Sequence, residues 1–197
     1  MSGQAGQVNP DQTLTVATTA SVVSDLHWAS TSLFELFVFW ASEVEPDHGD
    51  IASWLSSTGH HLGEQAQNLK GLMPDSVLLA DLTDFASPSP QAEEALGAVR
   101  AIPGSVMRLA IAHRVLLAQL SNACESLQQL AKPHADAPLL RAIGFLLLDL
   151  GNDREQAELL LGSSHDPDVS QQVDRAVMEA KSHLASAGGL VPGIVLY

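Results

Sequence analysis

"SPSPQAEEALGAV", residues 87–99, is one short helical segment behind a pair of prolines, set between much longer stretches of helical periodicity. Its reading decides the fold. A connection that holds a single short helix carries the chain from one helical hairpin to the next, so the long helices on either side pair as two hairpins joined by a crossover. Ser89 stands directly before Pro90, a capping residue followed by a proline whose fixed φ suits a first helical position. Working outward, Pro46, Pro74, Pro88, Pro103, Pro133, Pro138, Pro167 and Pro192 punctuate the remaining chain, and each reads as a boundary because proline lacks the amide donor and clashes with the preceding turn. Helices are expected at about 18–45, 48–73, 90–100, 103–132, 137–162 and 168–186. Asp136 and Asp166 are further expected caps near helix starts. Strand alternation is nearly absent. The expected fold is all-α: a four-helix bundle of two hairpins with a crossover, plus a C-terminal helix and an apolar tail. Residues 1–17 read as a mobile lead-in, and 18–197 as a single domain with no internal repeat or linker.

The chain of 197 residues is long enough to bury a core without disulfides or structural metal. It carries 23 acidic against 9 basic residues, a formal charge of -14. Such a charge repels phosphate backbones and anionic lipid surfaces, which argues against nucleic-acid and membrane partners. Cys124 is the single cysteine, so no intrachain disulfide exists. The N-terminus has neither a basic n-region nor an apolar h-region. The most apolar run, "LFELFVFW" at 33–40, falls far short of the roughly 20 residues that cross a bilayer. A cytoplasmic, soluble protein is expected.

Placing residues at about 100° intervals sorts the polar groups by face. In "GHHLGEQAQNL", residues 59–69, His60 and Glu64 fall opposite the stripe of Ile51, Leu55, Leu62, Ala66, Leu69 and Met73, and read as a solvated pair four apart. His61, Gln65 and Asn68 lie along one margin of that stripe and remain candidates to look inward. On the helix from 103, His113 falls at the centre of Val106, Leu109, Leu116, Leu117, Leu120, Cys124 and Leu127, so it should be buried, with a partner needed for each ring nitrogen. Glu35 sits inside "LFELFVFW", its own face shared with Ser24, Thr31, Ser32 and Ser42. Asp149, in "FLLLDLGND", lies beside Phe145, Asn152 and Gln156 on the flank of a leucine stripe.

One polar candidate thus falls on each of four long helices: Glu35, His61 or Gln65, His113 and Asp149. The arrangement resembles the ferritin-like carboxylate proteins, in which a four-helix bundle holds two metal ions with a Glu from each of two helices and a Glu-x-x-His from each of the other two. The resemblance covers roughly residues 20–162 and rests on helix number and crossover. It implies a metal-dependent oxidoreductase or oxygenase with iron or manganese as cofactor and Glu35, His61, His113 and Asp149 as metal ligands. The ligand set is degenerate, however. His113 replaces a carboxylate, Asp149 and Asn152 stand where Glu-x-x-His is wanted, and the tetrad "EPDH" at 45–48 contains a proline and falls in a turn.

No Gly-rich phosphate loop, Cys-x-x-Cys, Gly-x-Ser-x-Gly or His-Glu-x-x-His occurs. Cys124 reads as a core residue, about 16 Å along the helix axis from His113 and beyond reach of it as a base. The pairs Glu93 and Glu94, Glu155 and Glu158, and Asp166 and Asp168 read as solvated charges. Trp28, Phe34, Phe37, Phe39 and Trp40 crowd one helix that is apolar all round and must be covered all round. A homodimer interface through Leu33, Phe37 and Trp40, with Leu26 nearby, is the expected cover, and the apolar tail "AGGLVPGIVLY" is the competing one. Two function classes follow: the metal-dependent enzyme above, or a metal-free helical bundle acting as a dimeric binding or assembly module, its polar residues serving buried hydrogen bonds.

Overall fold

The computed structural model describes residues 14–73, 87–162 and 167–191, and among these the chain is helical with no strand. Helix α1 (Val16–Ser42) starts at Thr15, whose Oγ1 accepts a hydrogen bond from the Thr18 amide at 3.1 Å. The helix therefore begins inside the expected lead-in. A 3-10 turn at Pro46–His48 reverses the chain into α2 (Gly49–Lys70), which packs along α1 as the first hairpin. The crossover helix α3 (Pro90–Arg100) is capped as its sequence demands, with Ser89 Oγ accepting from the Ala92 amide at 3.1 Å. Then α4 (Ser105–Ile111), a π turn (Ala112–Leu116) and α5 (Leu117–Leu130) follow one another directly where one continuous α-helix is expected. A short link carries α5 into α6 (Ala137–Gly162), which packs back on it, and α7 (Pro167–Ser186) packs on α3 and α4. Asp136 does not cap α6 through its side chain; its Oδ2 closes the link instead, accepting from the Lys132 amide at 2.7 Å. Asp166 lies outside the described residues.

The run from α4 into α5 is the axis of the molecule. Leu109 to Ala112 and Val115 to Leu117 are all buried, and only a helix enclosed by neighbours on every side buries consecutive residues in this way. Leu120, Cys124 and Leu127 continue it, and burial pushes the Cys124 thiol up to about 12, which leaves it an inert core group.

The aromatic face of α1 corrects the expected dimer interface. Leu26, Leu33, Phe37 and Trp40 are each 0% exposed within one chain. Phe37 stacks on Trp40 with ring centroids 6.0 Å apart and meets Trp54 of α2 at 6.1 Å. Gly59 packs against α1, where a Cβ would stand in ordinary contact 3.5 Å from Phe37 Cβ. Trp40 Nε1 donates to the Arg100 carbonyl at 3.1 Å, and the buried Arg108 donates from Nη2 to Glu43 at 2.9 Å and from Nε to the Ile102 carbonyl at 3.1 Å. The chain thus buries Leu26, Leu33, Phe37 and Trp40 itself, so they are not available as the surface of a dimer interface. The start of the tail docks as well: Gly188 and Gly189 end the last helix with φ of 84° and 96°, Leu190 and Val191 are buried, and the Leu190 amide donates to Gln119 Oε1 at 2.8 Å. Residues 192–197 lie outside the described residues.

Candidate functional site

Trp54, Thr58, His61, Gln65 and Asn68 follow one another on α2 at spacings of four, three, four and three, so they form one row along the helix. The row faces Asp149 and Asp153 of α6, themselves one turn apart. Trp54 Nε1 donates to the Asp153 carbonyl at 2.9 Å. His61 Nδ1 lies 3.0 Å from both carboxylate oxygens of Asp153, so that nitrogen donates and Nε2 is left toward solvent on a ring 45% exposed. Gln65, buried, donates from Nε2 to Asp149 Oδ2 and accepts from Asn68 Nδ2 at 3.3 Å. Thr58 is fully buried; its hydroxyl is near enough to Asp153 to favour the charged carboxylate but lacks a well-formed hydrogen bond.

The electrostatics of the row follow from burial and pairing. The hydrogen bond to Asp153 is the main reason the His61 pKa is raised, with desolvation opposing and the charges of Asp153, Asp149 and Glu64 assisting. Asp153 is 2% exposed, and burial pushes its carboxyl pKa up against the pull of His61. The pair is therefore most favourable when His61 is protonated.

His113 lies elsewhere. It sits in the π turn with its side chain 12% exposed, and its Nε2 lies 2.8 Å from Glu158 Oε2 of α6. Desolvation lowers its pKa, Glu158 resists, and Arg154 and Arg114 lower it further. Its Nδ1 is buried without a hydrogen-bond partner. Glu35 is exposed, on a solvent-open recess between α1 and α3 that it shares with Trp28, Ser32, Glu93 and Arg100. His60 and Glu64 are both exposed, as the wheel requires, and His60 meets the edge of Phe34 at 6.4 Å.

Of the four expected ligands, then, only His61 and Asp149 share a neighbourhood, and each is engaged with a different partner. Glu35 and His113 point into two other places. Among the described residues, no group of three or more His, Cys, Asp or Glu stands where it could hold a metal ion. The ligand set implied by the ferritin-like resemblance does not fit these residues, because iron or manganese needs several oxygen and nitrogen donors converging within about 2 to 2.5 Å of one point.

No family model, curated protein or solved structure matches the chain. The site therefore stands on its own geometry. Sequence reasoning passed over Asp153, Thr58 and Trp54, and read Glu158, which is exposed but paired with His113, as a solvated charge. For Asp153 a signal exists: it stands three residues after Leu150 and seven after Leu146, on the buried line of α6, where a carboxylate needs a partner.

Proposed function

We propose that the protein is a metal-free helical bundle that works as a binding or assembly module. The observation that carries this reading is the dispersal of the polar candidates into separate pairs across helix interfaces: His61 with Asp153, Gln65 with Asp149, and His113 with Glu158. Groups spent on each other fix the register of α2 and of the π turn against α6, a role that polar contacts between helices fill in helical assemblies. Support for a contact function comes from α6, where Phe145, Leu148 and Leu159 are 55%, 61% and 73% exposed. Large apolar side chains grouped on one face mark interaction surfaces.

The test is metal content of untagged protein, followed by melting with iron, manganese or zinc added. The expected result is no stoichiometric metal and no thermal shift, since a ligand that binds the native state must raise its melting temperature. His113→Ala should then lower stability by about 1 to 3 kcal/mol, through the emptied volume and the lost contact with Glu158, and change nothing else. Stoichiometric metal lost on that substitution defeats the reading.

A further inference from the structure

The exposed face of α6 reads as a self-complementary seam. Arg141, Leu148 and Glu155 recur every seven residues, with Gly144 and Phe145 between the first two and Gly151 and Asn152 between the last two. At about 100° per residue all seven fall within about 60° of Leu148, on one face of the helix. All seven are exposed. A Cβ built on Gly144 or Gly151 meets nothing within 4 Å, so both glycines open outward. Neither Arg141 nor Glu155 makes an ion pair among the described residues, although each stands at one end of the apolar stretch.

We propose that this face binds a second copy of the chain, α6 against α6 in antiparallel register with the two-fold axis at Leu148. The inference rests on the contact role proposed above and names the partner. In this register residue i opposes residue 296 − i of the other copy, the sum being twice 148, so every pairing follows by subtraction. Leu148 meets its own symmetry mate. Phe145 stands level with Gly151 of the other copy, and Gly144 with Asn152, so at neither height do two large side chains compete for room. Arg141 meets Glu155, and the same ion pair forms a second time across the axis, as an isologous contact requires. Charge complementarity argues for this occupant: the one basic residue of the seam meets the acidic one at its other end when two copies of the helix pair in antiparallel register. The paired segment, fifteen residues from Arg141 to Glu155, runs about 21 Å along the axis. A contact of that length is small, so the dimer should be weak and in exchange, with dissociation in about the micromolar range.

Sedimentation equilibrium of the full chain, from micromolar to near-millimolar concentration, tests this. Wild type should show a reversible monomer–dimer equilibrium. Leu148→Glu should be monomeric throughout with an unchanged melting temperature in dilute solution. Arg141→Glu and Glu155→Arg should each weaken the dimer by about tenfold, and the double exchange should restore it. Leu148→Cys should cross-link to itself on mild oxidation, since only a residue on the axis meets its own copy. A monomeric wild type, a dimer indifferent to Leu148→Glu, or a double exchange no tighter than the single variants overturns the proposal. The metal assay separates the two readings: a metal-free monomer removes self-association alone, and stoichiometric metal removes the metal-free reading alone.

Discussion

Asp25 lies partly buried in α1, and desolvation lifts its carboxyl to about 6. The folded state therefore holds this proton more tightly than the unfolded chain does. Stability linked to Asp25 is fullest below its ordinary value near 3.8 and is lost as pH rises through about 6. Asp25→Asn removes the charge and keeps the shape, so it should stabilise the protein at pH 7 by about 1 to 2 kcal/mol, after discounting for partial exposure, and by nothing near pH 4. Urea unfolding of both proteins at the two pH values measures it, and an equal gain at both would show that the charge is not the cause. The His61 pair gives a second test. In Asp153→Asn the hydrogen bond and charge that hold the His61 pKa up are reduced, so its NMR titration should move down toward the ordinary 6.5. An unmoved titration would mean that Asp149 and Glu64 set the value instead. These residues also mark the limit of what the wheel reveals. It placed Gln65 and Asn68 on the margin that faces α6, but it singled out Asp149 on the flank of the leucine stripe and passed over Asp153, which lies on the buried line with Leu146 and Leu150.

Helices α3 and α6 have the bounds expected from their prolines and periodicity, and α1, α2 and α7 differ by a few residues at their ends, because capping and the missing proline amide act locally and are written in the chain. The π turn was not legible. Its extra residue per turn, with the Leu117 amide donating to the Ala112 carbonyl five residues back, shifts every later side chain relative to an unbroken α-helical wheel. That shift is why His113 sits at the rim beside Glu158 rather than at the centre of the stripe through Leu127. The cover of the α1 aromatics was equally beyond a local reading, since it comes from α2, from the Arg100 carbonyl and from Arg108, all distant in sequence. Where α4 begins, local geometry makes a firm prediction. Gly104 adopts φ 91°, and a Cβ there would stand 2.1 Å from Met107 Cε. Met107 can swing away, but the backbone cannot leave the left-handed region without losing the bond from the Arg108 amide to the Gly104 carbonyl. Gly104→Ala should therefore cost about 1 to 2 kcal/mol, seen as a fall in the urea midpoint at constant slope.

At the scale of the molecule the formal charge of -14 is a self-repulsion that the packed bundle must overcome at neutral pH. Lowering the pH reduces it. Three groups act in the same direction, since Asp25, Asp153 and His61 all have raised pKa values and contribute more stability as they take up protons. Two histidines act against them: burial lowers the pKa of His27 and of His113, so their stability is present above the ordinary 6.5 and lost as pH falls below it. Glu45, held below its ordinary 4.5 mainly by backbone hydrogen bonding, loses its contribution in more acid solution. Down to about pH 6 the easing of repulsion and the raised groups are expected to outweigh the two histidines, whose opposing loss sets in only near the ordinary 6.5. Below about 4.5 the remaining carboxylates protonate, the net charge turns positive and repulsion returns, and the gain ends. Stability should therefore rise from pH 8 to about 6 and fall again below about 4.5. Salt discriminates the two sources of the rise: at high ionic strength the diffuse repulsion is screened, which should raise the melting temperature most at pH 8 and flatten the profile. The contribution of Asp25 comes from desolvation, which salt does not screen, so a residual slope toward pH 6 should persist in molar sodium chloride. A profile that becomes flat in salt would assign the whole effect to net charge and leave Asp25 without a part in it.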